Sequence, residues 1–150
     1  MSTYVINASV VFKIFPLKNG IESEEEIFKK AENRDIRYPD IKLITSFLIW
    51  VELKKSFLTN STPKNDMLHI MGNFRQQADK ELIKIFPASN EILKKSVELM
   101  NLDTNGQGKI SIYDATFHAL AILENVIFLT TDEKYVRKTQ KLIGSVELFE

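Results

Sequence analysis

The sequence predicts a three-layer α/β/α fold with a mainly parallel sheet of about four to five strands. Short apolar runs alternate with segments of helical pattern, as expected when helices cover both faces of a parallel sheet. Hydrophobic residues make up 44% of the chain and charged residues 27%, which is ordinary for a globular protein. At 150 residues we expect a single domain, residues 1–150, with a substantial core.

Four apolar runs are predicted strands, and a brief fifth run lies at Leu82–Phe86. The four strands are Tyr4–Ile6, Ile41–Thr45, Val126–Leu129 and Ser145–Leu148. The first strand ends at Asn7, and the third leads into the Thr-Thr-Asp segment at residues 130–132. Polar residues therefore stand at the carboxyl ends of two predicted strands.

The helices are predicted from capping and stop signals. Ser46, Ser89 and Ser111 each precede a segment of helical pattern and are suited to cap it. Asn125 and Gly144 are suited to the left-handed conformation that ends a helix. The predicted helices are Ala8–Phe15, Ser23 to about Asn33, Phe47 to about Leu58, Asp66 to about Lys80, Asn90 to about Met100, a helix capped by Ser111 that runs through Leu123, and Glu133 to about Leu142.

The residue types restrict the kind of metal site. The chain has no cysteine, which excludes disulfides and cysteine-ligated zinc. It has only two histidines, and we interpret His118, one turn after Asp114, as structural rather than as a ligand. Any metal would therefore be bound through oxygen, which favours magnesium, manganese or calcium.

The charge and hydropathy patterns bear on partners and location. The 20 basic and 20 acidic residues give a formal net charge of zero, so a nucleic-acid role needs a local basic patch. Charges interrupt the apolar runs well short of the roughly 20 residues of a membrane-spanning helix. The N-terminus also lacks the pattern of a signal peptide. We therefore expect a cytoplasmic protein with no membrane partner.

Four polar side chains are expected to meet at one edge of the sheet. Asn7 and Asp132 follow predicted strands, whereas Glu52 and Asp114 lie in helices that flank strands. In an open parallel sheet, ligands bind beyond the carboxyl ends of the strands. Oxygen ligands from distant parts of the chain would therefore converge where a divalent cation can bind.

Three stretches of the chain resemble the PIN-domain nucleases, particularly the toxin component of VapBC toxin–antitoxin pairs. They read VINASVVFKIF near the start, SFLIWVEL in the middle and ISIYDATFHALAILENVIFLTTDEK near the end. The last is the most specific, because an aspartate opens an Ala-rich helix that is followed by an apolar strand and Thr-x-Asp. The order and spacing cover nearly the whole chain and imply a PIN-like fold.

The resemblance implies a metal-dependent ribonuclease. In that family a set of acidic residues binds Mg²⁺ or Mn²⁺ and cleaves RNA, and three of the acidic positions match Glu52, Asp114 and Asp132. Asn7 stands where the family usually has aspartate. The resemblance also implies a cognate antitoxin as partner and a homodimer, to which the apolar helix Phe47–Leu58 would contribute surface.

Two further residues are assigned roles from the chemistry of phosphodiester hydrolysis. A catalyst of this reaction must neutralise the negative charge that develops on the phosphate and must activate a water. Thr130 is expected to hydrogen-bond a ligand carboxylate or a metal-bound water. Lys13 is expected to contact a substrate phosphate, and its alternative is a solvated surface lysine.

Each residue of the acidic edge also has a structural alternative. Asp114 fits a capping box with Ser111, and Asp132 fits the cap of the last helix. Glu52 fits a solvated helical position, and Asn7 fits a turn. Because Asn7 brings no charge to a metal, a PIN-fold binding module without catalysis is an alternative function.

The segment DTNGQGKISIYD, residues 103–114, also fits a calcium-binding EF-hand loop. Its ligand positions would be Asp103, Asn105, Gln107, the Lys109 carbonyl, Ser111 and Asp114, with Gly108 at the turn. The loop offers only two carboxylates, ends on aspartate rather than glutamate, and precedes a strand that an EF-hand does not use. We therefore favour Asp114 as a member of the acidic edge.

Overall fold

The computed structural model describes residues 2–14 and 41–149, and the predicted helix that begins at Ser23 lies outside them. The strands are β1 (Ser2–Ile6), β2 (Ile41–Ser46), β3 (Ile83–Phe86), β4 (Ile127–Thr130) and β5 (Val146–Leu148). The helices are α1 (Ala8–Ile14), α2 (Ile49–Thr59), α3 (Lys64–Asp79), α4 (Asn90–Met100), α5 (Ile112–Leu123) and α6 (Glu133–Thr139). No helix within these residues has the length and apolar character to cross a membrane.

The strands form one sheet in the order β3-β2-β1-β4-β5, and every neighbouring pair is parallel. Tyr4 of the central strand β1 pairs with Leu43 of β2 on one side and with Ile127 of β4 on the other. The brief apolar run at Leu82–Phe86 supplies β3. The predicted α/β fold is confirmed, and the carboxyl ends of the strands share one edge of the sheet.

The core forms where apolar strands are covered by helices. Val5 and Ile6 of β1 are fully buried, as expected for a strand with packed side chains on both faces. Helix α5 packs against β1, β2 and β4, whereas α6 packs against β5. Phe117 of α5 stacks on Phe128 of β4 with the ring centroids 6.1 Å apart. This packing holds the first turn of α5 close to the ends of the central strands.

Several helix ends follow the predicted capping residues. Ser89 Oγ accepts a hydrogen bond from Ile92 N at 3.1 Å, so its capping role is confirmed. Ser111 Oγ accepts from Asp114 N, also at 3.1 Å. Asn125 adopts a φ of 55°, in the left-handed region predicted for the end of α5.

Two predicted helix boundaries are wrong. Ser46 is the last residue of β2, where it pairs with Phe86, and α2 begins only at Ile49. Strand pairing extends one residue beyond the apolar run, so the serine that looked like a cap belongs to the sheet. Helix α6 ends at Thr139 rather than Leu142, because the chain already turns there towards β5.

Candidate functional site

Asn7 joins the carboxyl ends of the two strands β1 and β4. Its Nδ2 donates to Thr130 Oγ1 at 3.2 Å. Its Oδ1 accepts from Ser9 Oγ at 2.7 Å and from Val10 N at 3.3 Å. Because a backbone N–H only donates, the amide oxygen faces Val10 and the nitrogen faces Thr130. The side chain is buried, with 5% exposed, and all three hydrogen bonds are internal.

Thr130 orders the chain at the end of β4. Its buried hydroxyl accepts from Asn7 Nδ2 and also from Asp132 N at 3.1 Å. Thr131 N donates to Ser9 Oγ at 3.3 Å. The first turn of α1 and the segment that leads to Asp132 are therefore tied together.

Glu52 reaches the same edge from the first turn of α2. Its Oε1 accepts from Ala8 N at 2.6 Å, which places the carboxylate at the N-terminus of α1, beside Asn7 in the sequence. The pKa of Glu52 is raised from 4.5 to about 7, mainly by burial and also by the nearby Asp114 carboxylate. The Ala8 hydrogen bond and the charge of Lys55 lower the pKa by less. The Glu52 side chain is half-buried. It is therefore not the fully solvated helical residue that the sequence also allowed.

Asp114 combines a capping role with proximity to other acids. Ser111 Oγ accepts from the Asp114 backbone N at 3.1 Å, which is one half of the predicted capping box, but Asp114 Oδ2 accepts from the Ser111 hydroxyl at 3.2 Å rather than from its backbone N–H. Burial nevertheless raises the pKa of Asp114, the Asp132 carboxylate raises it further, and Lys138 opposes the shift. The Asp114 side chain is therefore held by Ser111 at the start of α5 and is also subject to the charge of a neighbouring acid.

Asp132 caps α6 from an exposed position. Its Oδ1 accepts from Tyr135 N at 3.1 Å, so the predicted capping role is present. The pKa of Tyr135 is raised mainly by burial and then by the charges of Asp114 and Asp132. The two aspartates therefore lie within electrostatic reach of one another and of the Tyr135 ring.

The three carboxylates share a pattern. Each uses one oxygen in a structural hydrogen bond. Within residues 2–14 and 41–149, Glu52 Oε2, Asp114 Oδ1 and Asp132 Oδ2 have no hydrogen-bond partner. Over the same residues, no three His, Cys, Asp or Glu side chains lie close enough together to hold one metal ion in common. The acids form a string with Asp114 in the middle, because its charge interacts with both of the others.

Lys13 occupies the last turn of α1 with an exposed side chain. Among the described residues, no hydrogen bond joins it to Asn7 or the three acids. Its contact with a substrate phosphate stays a prediction.

His118 is a core histidine behind the acidic edge. Its Nε2 lies 2.7 Å from Gly144 O, and its Nδ1 lies 2.7 Å from the Tyr135 hydroxyl. A carbonyl only accepts, so Nε2 carries the proton and Nδ1 accepts from the Tyr135 O–H. Burial lowers the pKa of His118 and favours this neutral form. Both ring nitrogens are used internally, which confirms the structural interpretation.

A groove of about 520 Å³ opens beside Asp114 and Asp132. The loop before α5 and one side of α6 form its walls, with the basic side chains of Lys109, Lys134, Arg137 and Lys138. This groove was not predicted from the sequence. The available signal was the i, i+3, i+4 spacing of the three basic residues of α6, which places them on one side of the helix.

The fold and its acidic edge define a class of α/β proteins whose site lies beyond the carboxyl ends of parallel strands. The chain belongs to the PIN domain family, whose model matches residues 4–141. The family resemblance of the sequence is therefore confirmed. PIN domains generally use divalent metal ions.

Solved structures with a similar fold come from VapBC toxin–antitoxin systems. VapBC-5 from Mycobacterium tuberculosis is 16% identical with a TM-score of 0.62, over 100% of this chain and 99% of that chain. VapBC2 from Rickettsia felis, bound to a DNA fragment from their promoter, is 14% identical with a TM-score of 0.66, over 99% of each chain. VapBC-1 from nontypeable Haemophilus influenzae is 14% identical with a TM-score of 0.62, over 99% of this chain and 97% of that chain. At these identities the likeness shows the fold. A comparison with curated proteins gives no match.

Proposed function

We propose that this chain is a metal-dependent ribonuclease and the toxin of a toxin–antitoxin pair. The observation that carries the proposal is the string of three carboxylates, each with one oxygen free of hydrogen bonds within the described residues. Glu52 lies in α2, Asp114 in α5 and Asp132 at the N-cap of α6, and the charge of Asp114 acts on Glu52 while that of Asp132 acts on Asp114. Membership of the PIN domain family supports the same function.

The donor chemistry fits Mg²⁺ or Mn²⁺, which prefer oxygen ligands. Magnesium keeps several waters and is often held by only one or two carboxylates, so it does not require a closed group of three. Burial is the main cause of the raised pKa values of Glu52 and Asp114, and a neighbouring carboxylate raises each further, so both acids ionise with difficulty unless positive charge compensates them. A divalent cation between them would supply that compensation.

Glu52, Asp114 and Asp132 are the proposed ligands, with Asn7 Oδ1 as a neutral fourth. A bound ion supplies a Lewis acid that neutralises phosphate charge and lowers the pKa of a water. The protein's own contribution is to hold the ligands in place. Thr130 does this for the Asn7 amide and for the backbone of Asp132.

A non-catalytic binding module is the second candidate function, and Asn7 favours it. Asn7 Oδ1 already accepts two internal hydrogen bonds, so it must give one up to bind a metal ion well. The amide also brings no charge to the site. Both effects reduce metal affinity relative to a chain with aspartate at this position.

The proposed partners are a cognate antitoxin and a second copy of the chain. Similarity in fold to VapBC proteins supports the antitoxin. For the homodimer, Phe47, Val51 and Leu58 are exposed by 36%, 49% and 78% and fall on one stripe along α2 and the residues before it. A second copy would cover this apolar stripe.

Cleavage of RNA by the purified chain and by Asn7→Asp tests the proposed function. We expect cleavage with Mg²⁺ or Mn²⁺ and none with EDTA, and a faster reaction for Asn7→Asp because it adds a charged ligand. Substrate phosphate binding by Lys13 is tested by Lys13→Gln in the same assay. If neither the parent nor Asn7→Asp cleaves RNA with either ion while both remain folded, the nuclease proposal fails and the binding module is supported.

A further inference from the structure

The groove beside Asp114 and Asp132 is rich in basic side chains, which the acidic edge does not explain. Four of its side chains are basic, and the two aspartates also line it. The chain as a whole carries a formal net charge of zero, so the positive charge of the groove is a local feature. A local positive patch next to candidate catalytic carboxylates is suited to a polyanion.

One wall of the groove is the DTNGQGK loop, and internal hydrogen bonds fix its shape. The buried Thr104 Oγ1 donates to Gly108 O at 2.6 Å. Asp103 Oδ1 accepts from Asn105 N at 2.9 Å, which closes a tight turn. Gly108 has a φ of 89°, a conformation that side-chain-bearing residues rarely adopt. The loop therefore presents the next residue, Lys109, at the mouth of the groove.

The other wall is α6, whose basic residues share one side. Lys134 and Arg137 are exposed, and within the described residues neither forms an ion pair. Lys138 Nζ donates to Lys109 O at 3.2 Å, which links the two walls. The buried Tyr135, bonded to the His118 ring, anchors the helix between them. The basic side chains thus project from a firmly held element.

We propose that this groove binds the backbone phosphates of single-stranded RNA on one side of the bond to be cleaved. The inference rests on the proposed function, because the groove continues directly from Asp114 and Asp132. Lys134, Arg137 and Lys138 contact successive phosphates, and the strand leaves the acidic edge along α6. Without these contacts the aspartates would repel the substrate, since two negative charges line the same groove.

A second groove of the same kind provides a matched control. It has a volume of about 530 Å³ and contains Lys42, Arg75 and Lys84. It is lined by none of the proposed metal ligands, and Arg75 Nε already pairs with Asp79 Oδ1 at 3.1 Å. Replacement of three basic residues by glutamine in either groove changes the net charge of the chain equally.

The test measures RNA binding separately from cleavage. Fluorescence anisotropy of a fluorescein-labelled single-stranded RNA is followed in EDTA, over a series of salt concentrations. We expect Lys134→Gln/Arg137→Gln/Lys138→Gln to bind roughly tenfold or more weakly at low salt, and the slope of log K against log salt to fall by about 2. Lys42→Gln/Arg75→Gln/Lys84→Gln should keep the affinity and slope of the parent. Circular dichroism checks that both variants are folded.

The proposal is overturned if both variants bind like the parent, if the control variant alone loses affinity, or if the parent binds no RNA at low salt. None of these results bears on the nuclease proposal, which the RNA-cleavage assay tests separately. Conversely, if RNA binds through this groove but neither the parent nor Asn7→Asp cleaves it with Mg²⁺ or Mn²⁺ while both remain folded, the groove is supported and the nuclease is refuted.

Discussion

Replacement of Glu52 by glutamine should stabilise the metal-free protein at alkaline pH. In the folded chain the Glu52 carboxylate is largely withdrawn from water and lies near Asp114, so its ionised form is disfavoured. Glutamine keeps an oxygen that can accept from Ala8 N, but it carries no charge. The substitution therefore removes the electrostatic cost and retains the hydrogen bond.

The magnitude follows from the pKa of Glu52, which rises from 4.5 to about 7 on folding. A raised folded-state pKa means that the folded state binds the proton more tightly than the unfolded state. The stabilisation from protonation is complete below about pH 4.5 and is lost as the pH rises towards 7. At about 1.4 kcal/mol per pH unit, Glu52→Gln should be more stable than the parent by roughly 3 kcal/mol at pH 8, and by little at pH 4.5.

Urea unfolding in EDTA, followed by the fluorescence of Trp50, measures the difference at the two pH values. Glu91→Gln, an exposed glutamate in the first turn of α4, is the control and should change stability by less than about 0.5 kcal/mol at both. Added Mn²⁺ should stabilise the parent more than Glu52→Gln. A Glu52→Gln variant that is less stable than the parent at pH 8, or a stability difference that does not vary with pH, would show that the Glu52 carboxylate carries no such electrostatic cost.

Three further predictions concern residues around the acidic edge. Asn7→Asp should have a lower melting temperature than the parent in EDTA, because it adds a buried charge and removes the amide donor to Thr130. In Mn²⁺ its melting temperature should be higher than that of the parent. Differential scanning fluorimetry that shows no dependence of this difference on Mn²⁺ would count against the prediction. Tyr135→Phe should lose roughly 1–3 kcal/mol in urea unfolding, because His118 Nδ1 is left as a buried unpaired acceptor; a loss below about 0.5 kcal/mol would mean that water replaces the hydroxyl. Leu58→Glu should convert a dimer to a monomer in light scattering, and a parent that is monomeric at tens of micromolar would rule out the dimer.

The shared carboxyl edge of the strands was predictable from the sequence because short apolar runs that alternate with helices indicate a parallel sheet. Asn7 and Thr130 end adjacent strands, so a hydrogen bond between them needs only the correct strand order. Ser89 and Ser111 were recognisable as caps because a cap is a local feature of a few residues. The family resemblance added the expectation that Glu52, Asp114 and Asp132 occupy acidic positions of a metal site.

Other features depend on three-dimensional packing that a linear pattern does not contain. Ser46 looked like a cap, but its place in β2 is decided by pairing with Phe86 of a distant strand. The internal bonds of Asn7 Oδ1 depend on how α1 turns away from β1. The basic groove requires α6 to lie against the loop that carries Lys109, and the rotation of that helix is set by the burial of Tyr135.

RNA cleavage by Asp114→Asn, Asp132→Asn and Asp103→Ala tests the central claim most directly. Asparagine can accept the hydrogen bonds that the two aspartates now accept, so these variants remove a charge and preserve the helix caps. Each should reduce Mg²⁺- or Mn²⁺-dependent cleavage by more than the roughly 10–100-fold that is typical of residues that only support a metal ligand. Asp103→Ala should leave cleavage nearly unchanged, because among residues 2–14 and 41–149 the Asp103 side chain forms a hydrogen bond only within its own turn. If the parent cleaves no RNA, the same three substitutions are introduced into the Asn7→Asp variant and measured there. Cleavage that survives Asp132→Asn but is lost with Asp103→Ala would contradict the acidic edge as the active site.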